Sequence, residues 1–242
     1  MNSEKLKILG LIGIRSGSKS IPDKNIRLLS GKPLVGWIIE KAKKSKYLNR
    51  VVVSTDSEKY AEIARSFGAE TPFIRPKEFA ADTSTDLDWV KHAVEWLDKN
   101  ENYKPDIVVR LIATVPLQTV GDIDAVTEEL LKDQDAQSAV VIAEANQPPM
   151  KALKLVDDGR GGKYLVGYFT GKGVDVTPTL RQGYAKAYFR ANIVAFRPEV
   201  IYKTNSLTGD RVRYHIIPQE RAIDIDNPID FFIAEQLMNR KK

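Results

Sequence analysis

Apolar segments of two kinds alternate along the first 145 residues of this chain, and this alternation restricts the fold more than any other feature. Short runs rich in Ile, Leu and Val are typical of strands that are buried on both faces. These runs are residues 6–14, 51–53, 107–112 and 139–143. Segments with apolar residues at helical spacing separate them, and these are residues 34–42, 60–67, 90–97 and 123–131. The succession predicts an α/β fold, with a Rossmann-like, mostly parallel sheet flanked by helices.

The pattern changes after about residue 145. Two consecutive prolines and the Gly-rich segments 159–162 and 167–173 follow, and helical periodicity is missing. We therefore predict a single domain over residues 1–242 with a small β-rich arm, residues 147–183, inserted within it. Because such an arm cannot bury its apolar face alone, we expect it to be a dimer contact. Strand-like and helical segments then return at residues 188–196, 212–217 and 229–237.

Composition excludes several classes of site and partner. The chain has no cysteine and two histidines, so we exclude thiolate zinc sites and cysteine nucleophiles, and expect any metal to be a hard ion held by oxygen. The net charge of +5 is mild, and the basic residues form no patch with aromatic partners, so we expect no nucleic acid partner. No apolar run is long enough to span a membrane and no signal-peptide layout is present; we expect a cytoplasmic protein.

A polar loop, residues 15–25, follows the first strand with the sequence Arg-Ser-Gly-Ser-Lys-Ser-Ile-Pro-Asp-Lys-Asn. Ligands of open α/β sheets bind beyond the carboxyl ends of the strands. Arg15, Lys19 and Lys24 supply three cations, and Gly17 lets the backbone approach a ligand closely, so the loop suits a polyphosphate. It matches neither the Walker A motif nor G-x-G-x-x-G, and its composition alone fits a flexible basic surface loop equally well.

Further short motifs follow this loop in order along nearly the whole chain. They are Gly31-Lys-Pro-Leu34, Val53-Ser-Thr-Asp56, Phe67-Gly-Ala69, Arg75-Pro76, Asp82-Thr-Ser84, Thr114-Val-Pro-Leu117, Arg181-Gln182 and Asp224-Ile-Asp226 with Asp230. Together with the loop, they resemble the sugar cytidylyltransferases, and most closely the CMP-sialic acid synthetase (N-acylneuraminate cytidylyltransferase) branch.

The resemblance implies an enzyme that transfers CMP from CTP to the anomeric hydroxyl of an acidic 2-keto-3-deoxy sugar and releases pyrophosphate. It also implies Mg²⁺ as cofactor and a homodimer formed through the arm. The residues implied for the triphosphate are Arg15, Ser18, Lys19 and Lys24, and those for the cytidine are Asn25, Arg75 and Ser84. Asp224 and Asp226 are implied as metal ligands, and they form the catalytic set with Arg15 and Lys24. Lys151 and Arg181 are candidates for the acid sugar.

The chemistry of these residue types agrees with that reaction. Attack at the α-phosphorus gathers negative charge, which cations stabilise, and Mg²⁺ prefers one or two carboxylates and takes its other ligands from phosphate and water. Asp224 and Asp226, two residues apart on a predicted strand, would point the same way. By themselves they fit a turn or cap before the helix that Asn227-Pro228 opens better than a metal site, and only the ordered set of motifs favours the metal. We expect no histidine base.

Other polar and aromatic residues are predicted to be structural. Asp56 is expected to hold a loop, although a role in placing metal is open. We assign His92 and His215 structural positions, and expect the three tryptophans in the core or at an interface. These are Trp37, Trp89 and Trp96.

The chain departs from the family pattern where the sugar is expected. The synthetases commonly read Leu-Gln-Pro-Thr-Ser-Pro-Leu-Arg after the third major strand; here Ile112 falls at the glutamine and Gln118 at the arginine. Ala191 and Asn192 fall where Asn-Gly is usual, and Ser16 and Ser20 where glycines are usual.

A binding site that loses a hydrogen-bond donor discriminates differently between similar sugars. The sugar could accordingly be of sialic, legionaminic or pseudaminic type, with Ile112 beside it. A related nucleotidyltransferase, using a Kdo-type sugar or another nucleotide, and a catalytically silent nucleotide-binding protein remain alternatives.

Overall fold

The computed structural model describes residues 6–174 and 185–240. Its strands are β1 (Ile8–Gly13), β2 (Leu28–Leu29), β3 (Lys32–Pro33), β4 (Arg50–Ser54), β5 (Ile107–Ile112), β6 (Ser138–Glu144), β7 (Leu153–Asp157), β8 (Lys163–Gly167), β9 (Tyr188–Phe196) and β10 (Val212–Ile217). Its α-helices are α1 (Leu34–Lys44), α2 (Glu58–Ser66), α3 (Asp86–Glu101), α4 (Val120–Lys132), α5 (Glu199–Thr204) and α6 (Pro228–Asn239).

Six strands form one sheet in the order β10-β6-β9-β5-β1-β4. The strand β1 is central to the parallel part, because Leu11 lies opposite Val52 of β4 and opposite Arg110 of β5. The strand β9 runs antiparallel to β5, with Arg110 opposite Val194. The expected α/β fold, a mostly parallel central sheet flanked by helices, is confirmed.

The core between the sheet and α3 explains why the apolar runs are nearly continuous. Strand residues from β1, β4, β5 and β9 pack there against one face of α3, and they are Leu9, Leu11, Val52, Val108, Val194 and Phe196. The helix starts at a capping box in which Thr85 and Asp88 satisfy each other's backbone N–H groups. The capping box therefore fixes where α3 begins, and this end of the helix lies nearest the site described below.

The chain divides into two compact units, which are described separately. One comprises residues up to 142 together with residues from 190 onward, and the other comprises residues 143–189. The second unit contains the antiparallel hairpin of β7 and β8, with Leu155 opposite Leu165. Both strands lie within the predicted β-rich arm, whose residues 175–183 are outside the described residues. No helix within the described ranges combines the length and the apolar character needed to cross a membrane.

Candidate active site

A cleft of about 220 Å³ opens beside the carboxyl ends of β1 and β5 in the first unit. Three stretches of chain line it: the loop after β1, residues 75–89, and the end of β5 with the loop that follows. Seven of the predicted site residues line this cleft, namely Arg15, Ser18, Lys24, Asn25, Arg75, Ser84 and Ile112. Residues that are far apart in the sequence thus meet where ligands of open α/β sheets bind.

The loop after β1 is tied down at both ends. The carboxylate of Asp56 accepts hydrogen bonds from the Ser16 backbone N–H at 2.8 Å and from its hydroxyl at 2.7 Å, so Asp56 holds a loop as expected. At the other end, the buried Asn25 side chain donates to the Arg15 carbonyl at 3.0 Å. Gly17 adopts φ 75°, a conformation that glycine tolerates best.

Two cations of this loop share one carboxylate. Arg15 donates to Asp82 at 2.7 Å and to the Ala80 carbonyl at 3.3 Å, and Lys19 also contacts Asp82. Lys19 and Arg15 hold the pKa of the Asp82 carboxyl below its ordinary value. The Lys19 side chain is largely exposed and, unlike Arg15, is not among the residues that line the cleft. Both cations are therefore available to an anion that displaces Asp82.

The third cation connects the loop to the distant acidic pair. The ammonium of Lys24 donates to the Ile225 carbonyl at 2.6 Å and lies 3.3 Å from Oδ1 of Asp226. Its side chain is 12% exposed, so this position is largely enclosed. The structure thus brings together the two clusters that the resemblance assigns to one triphosphate and its metal.

The prediction that Asp224 and Asp226 lie on a strand is wrong. They lie in an extended segment between a 3-10 helix, Gln219–Ala222, and α6. Ile225 is buried between them and donates its N–H to the Thr114 carbonyl at 2.8 Å. No further pairing follows because Asn227 caps α6, and Asp230 accepts from the Asp226 N–H at 2.9 Å. Asp224 and Asp226 thus alternate with the buried Ile225 as they would on a strand, but the segment is not part of a sheet. The cap of α6 is formed by Asn227 and Asp230.

Asp224 is a half-buried carboxylate with unused bonding capacity. Its Oδ2 accepts from the Asn192 side chain, whereas Oδ1 is buried and makes no hydrogen bond to any described residue. Burial raises the pKa of Asp224 and the nearby Asp226 raises it further, against the opposing effects of the Thr114 side chain and Lys24. Asp224 and Asp226 are therefore two neighbouring carboxylates able to hold a cation. Within the described ranges, no cluster of three or more acidic or histidine side chains could do so.

Arg75 and Trp89 form one wall of the cleft. The Arg75 guanidinium donates to the carbonyl and, at 3.0 Å, to the hydroxyl of Ser54, and it stacks 5.0 Å above the Trp89 ring. Burial lowers the pKa of Arg75 to about 10. A side chain at Gly13 would place its Cβ 2.5 Å from the Trp89 ring, so only glycine permits this approach. Trp89 is buried as expected but also lines the cleft, which the sequence analysis missed.

A network of three further residues was also missed. Arg110 is buried on β5; its guanidinium contacts Asp86 and donates to the Asn192 carbonyl at 2.6 Å. Asp86 lines the cleft and accepts from the Trp89 indole at 3.0 Å. Burial opposes ionisation of Asp86, but Arg110 outweighs it and holds the pKa of that carboxyl below its ordinary value. An arginine inside an otherwise apolar strand was the one signal in the sequence that could have revealed the network.

The remaining candidates lie elsewhere. His92 is enclosed by Phe73 and Phe79, each 5.1 Å away between ring centroids, and burial lowers its pKa. His215 lies 3.4 Å from Asp122. Neither histidine is among the residues that line the cleft.

Gln118 is buried and donates to the Ala191 carbonyl, and it is not a cleft residue. Lys151 ends a 3-10 helix, Pro149–Lys151, in the second unit, and Arg181 lies outside the described residues.

Comparisons with known proteins agree with this site. The family model described as "Cytidylyltransferase" matches residues 9–211. N-acylneuraminate cytidylyltransferase of Escherichia coli O18:K1:H7 is 30% identical over 98% of this chain, which spans 54% of that relative. Pseudaminic acid cytidylyltransferase of Campylobacter jejuni subsp. jejuni serotype O:23/36 is 28% identical, with 96% of each chain covered.

A solved structure shares the fold. The CMP:2-keto-3-deoxy-manno-octonic acid synthetase complexed with CTP matches with a TM-score of 0.70 at 18% identity, covering 98% of this chain and all of the other. The family model covers most of the sequence, including all the residues that line the cleft. This chain belongs to the cytidylyltransferase family.

Proposed function

We propose that this chain transfers CMP from CTP to the anomeric hydroxyl of an acidic 2-keto-3-deoxy sugar and releases pyrophosphate. The sugar is of the sialic, legionaminic or pseudaminic type. Membership of the cytidylyltransferase family and similarity to enzymes named for sialic and pseudaminic acids support this reaction.

One observation carries the proposal. Lys24 of the cationic loop contacts both Asp226 and the carbonyl of Ile225, directly beside Asp224. Cations that line the cleft, one of them in contact with the acidic segment, match what a metal-bound triphosphate requires, since its oxygens need both positive charge and a bridging ion. A protein that only bound a nucleoside would need neither carboxylate.

Several loop residues bind the triphosphate together. Arg15, Ser18 and Lys24 line the cleft and hold the phosphate chain, and Lys19 reaches it from the rim when it leaves Asp82. As α-phosphate oxygens gain charge during attack, these cations stabilise them more than they stabilise the bound substrate, which lowers the barrier. Arg15 and Lys24 therefore act as catalytic residues.

The cytidine and the sugar occupy opposite parts of the cleft. Asn25, Arg75 and Ser84 border the cytidine, where Arg75 acts by holding the Trp89 wall in place. Ile112, at the end of β5, borders the sugar, and its apolar side chain replaces a hydrogen-bonding contact with a steric one. Lys151 and Arg181 remain candidates for contacts to the acid sugar.

The donor set fits Mg²⁺. The unpaired Oδ1 of Asp224 and the neighbouring Asp226 are hard oxygen ligands, and phosphate oxygens and water would supply the other positions. When bound, Mg²⁺ neutralises phosphate charge and increases the acidity of a coordinated hydroxyl.

The reaction balances without a histidine. The anomeric oxygen forms a bond to the α-phosphorus, the bond from that phosphorus to the bridging oxygen breaks, and pyrophosphate leaves with the electron pair. The hydroxyl proton passes to solvent. The chain's own residues orient the two reactants and stabilise charge, which is how most phosphoryl transfer is catalysed.

A homodimer formed through the β-rich arm is part of the proposal. Exposed apolar side chains on the hairpin and just after it support the dimer, since they would be covered by a second copy: Leu155, Tyr164, Leu165 and Phe169. Light scattering should give twice the mass of one chain, and Leu155→Ser should shift the mass toward that of a monomer. A monomeric wild-type chain would contradict it.

We place the reaction in the cytoplasm, where CTP is made.

Pyrophosphate release tests the reaction directly. The chain is incubated with CTP, UTP or GTP, each with sialic, legionaminic, pseudaminic or Kdo acids, with and without Mg²⁺. We expect release only with CTP, a nonulosonic acid and Mg²⁺. Release with another nucleotide or with Kdo would support the alternative nucleotidyltransferase, and nucleotide binding without any release would support a silent binding protein.

A further inference from the structure

One cation near the cleft has no assigned role. Arg190 lies on β9 at the boundary of the first unit and is exposed. Among the described residues, no hydrogen-bond acceptor lies within bonding distance of its guanidinium, and no carboxylate lies close enough to form an ion pair. The arginines and the lysine that line the cleft, namely Arg15, Lys24 and Arg75, are already engaged.

The topology places Arg190 at the edge of the sheet that holds the cleft. The strand β9 is antiparallel to β5, and Val194 lies opposite Arg110. Moving from Val194 toward the start of β9 therefore corresponds to moving from Arg110 toward the carboxyl end of β5. That direction leads to Ile112 and Thr114, which line the cleft. Arg190 therefore lies at the carboxyl end of β5, next to the part of the cleft assigned to the sugar.

The local charges leave a surplus positive charge there. Arg110 contacts Asp86 and neutralises it. Arg190 lies close enough to help Arg110 keep the pKa of Asp86 low. Two guanidinium groups thus face one carboxylate, and only Arg110 is paired with it. Desolvation and the charge of Arg110 lower the pKa of Arg190, which an incoming anion would reverse.

This second positive region is separated from the phosphate-binding loop. The loop follows β1, whereas Arg190 belongs to β9, two strands further along the sheet. Neighbouring strands lie about 4.8 Å apart, so the two regions are on the order of 10 Å from each other. An acceptor that attacks the α-phosphate from above β5 would extend its far side toward β9.

We propose that Arg190, beside the ion pair of Asp86 and Arg110, binds the carboxylate of the acidic sugar. The inference rests on the proposed function and adds a substrate contact on the first unit. A guanidinium presents two parallel N–H groups to a carboxylate, which gives orientation as well as affinity. Orientation decides which sugar oxygen faces the α-phosphorus.

The test compares a sugar acid with its uncharged carboxamide in the pyrophosphate-release assay. In Arg190→Gln we expect KM for the acid to rise about 10- to 100-fold, the loss typical of one charge-assisted contact, with kcat much less affected. KM for the carboxamide should be the same in wild type and variant, and KM for CTP should not change. Arg190→Lys should recover part of the affinity for the acid, because it keeps the charge but loses the fork geometry.

Matched controls separate this role from a structural one. Arg240→Gln removes an exposed arginine near the end of α6 and should leave both KM values unchanged. An equal rise in KM for acid and carboxamide, or no rise for the acid, overturns the inference while leaving the reaction intact. If Arg190→Gln does not fold, the same comparison in Arg190→Lys decides. A wild-type chain that turns over no acidic sugar overturns the proposed function and this inference together.

Discussion

The two sides of the cleft hold their charges in opposite ways. On the loop side, Arg15 and Lys19 share Asp82 in ion pairs whose side chains are 37%, 82% and 45% exposed. On the inner side, Arg110 is 5% exposed and connects Asp86, itself 46% exposed, to the backbone of Asn192, which in turn holds Asp224. Exposed ion pairs contribute little to stability, whereas a buried charge that loses its partner costs several kcal/mol.

The difference indicates two functions for charge in one site. The loop cations rest on a carboxylate that a phosphate can displace at little cost, so this side is suited to exchange between substrate and product. The inner network is centred on the buried Arg110, whose contacts link α3, β5 and β9, so this side is suited to fixing geometry. Variants on the two sides should therefore differ in which quantity they change.

The largest effect is expected from Asp224→Asn. The substitution keeps the shape and the acceptor for Asn192 but removes the charge that a metal ion needs, so kcat should fall about 10²- to 10³-fold. Stability should not fall, because burial disfavours the charged form of Asp224. Pyrophosphate release and urea unfolding measure the two quantities.

The matched control for this variant is Asp210→Asn. Asp210 is an exposed carboxylate in the loop before β10, and its replacement should alter neither turnover nor unfolding. Undiminished turnover in Asp224→Asn would show that Asp224 holds no metal needed for the reaction.

The second effect, on stability, is expected from Arg110→Met. Methionine fills the apolar part of the site but leaves Asp86 and the Asn192 carbonyl without their donor, so the free energy of unfolding should fall by about 2 kcal/mol. Adding Asp86→Asn should restore part of the loss, since no charge is then left unpaired. Arg240→Met is the exposed control in urea unfolding. A single variant as stable as the control would mean that the inner network does not fix the site.

A pH series tests whether Asp86 is held ionised by Arg110. Arg110 keeps the pKa of Asp86 below the ordinary value of 3.8 despite burial, so in the window between the two values the unfolded chain binds more protons. The pair's contribution to stability is therefore present above 3.8 and is lost as pH falls through the folded-state pKa.

Urea unfolding should show this directly. The difference in the free energy of unfolding between wild type and Asp86→Asn should be constant near neutral pH and shrink below about pH 4. A difference that grows on acidification would have the wrong sign for an ionised Asp86 held by Arg110.

The same contrast explains what the sequence could predict. The loop side is contiguous, so residues 15–25 show their cations, their glycine and their position after a strand together. The inner side is assembled from α3, β5, β9 and the segment before α6, and each of its residues alone looks structural. Asp86 lies next to the capping residues of α3, so in the sequence it resembles an ordinary acidic residue of a first helical turn. Asn192 adopts φ 64°, and no sequence motif predicts this conformation. Chain topology, rather than local pattern, brings them together.

The smallest effect is expected on the loop side, from Asp82→Asn. The substitution frees Arg15 and Lys19 from their shared carboxylate, and the unfolding midpoint should not change because these pairs are exposed. KM for CTP should fall about two- to threefold at low ionic strength, since the cations no longer exchange one anion for another, and the gain should vanish in high salt. Asp210→Asn should show neither change. A rise in KM for CTP would mean that Asp82 holds the loop in its binding conformation, and the loop side would then be as preorganised as the inner side.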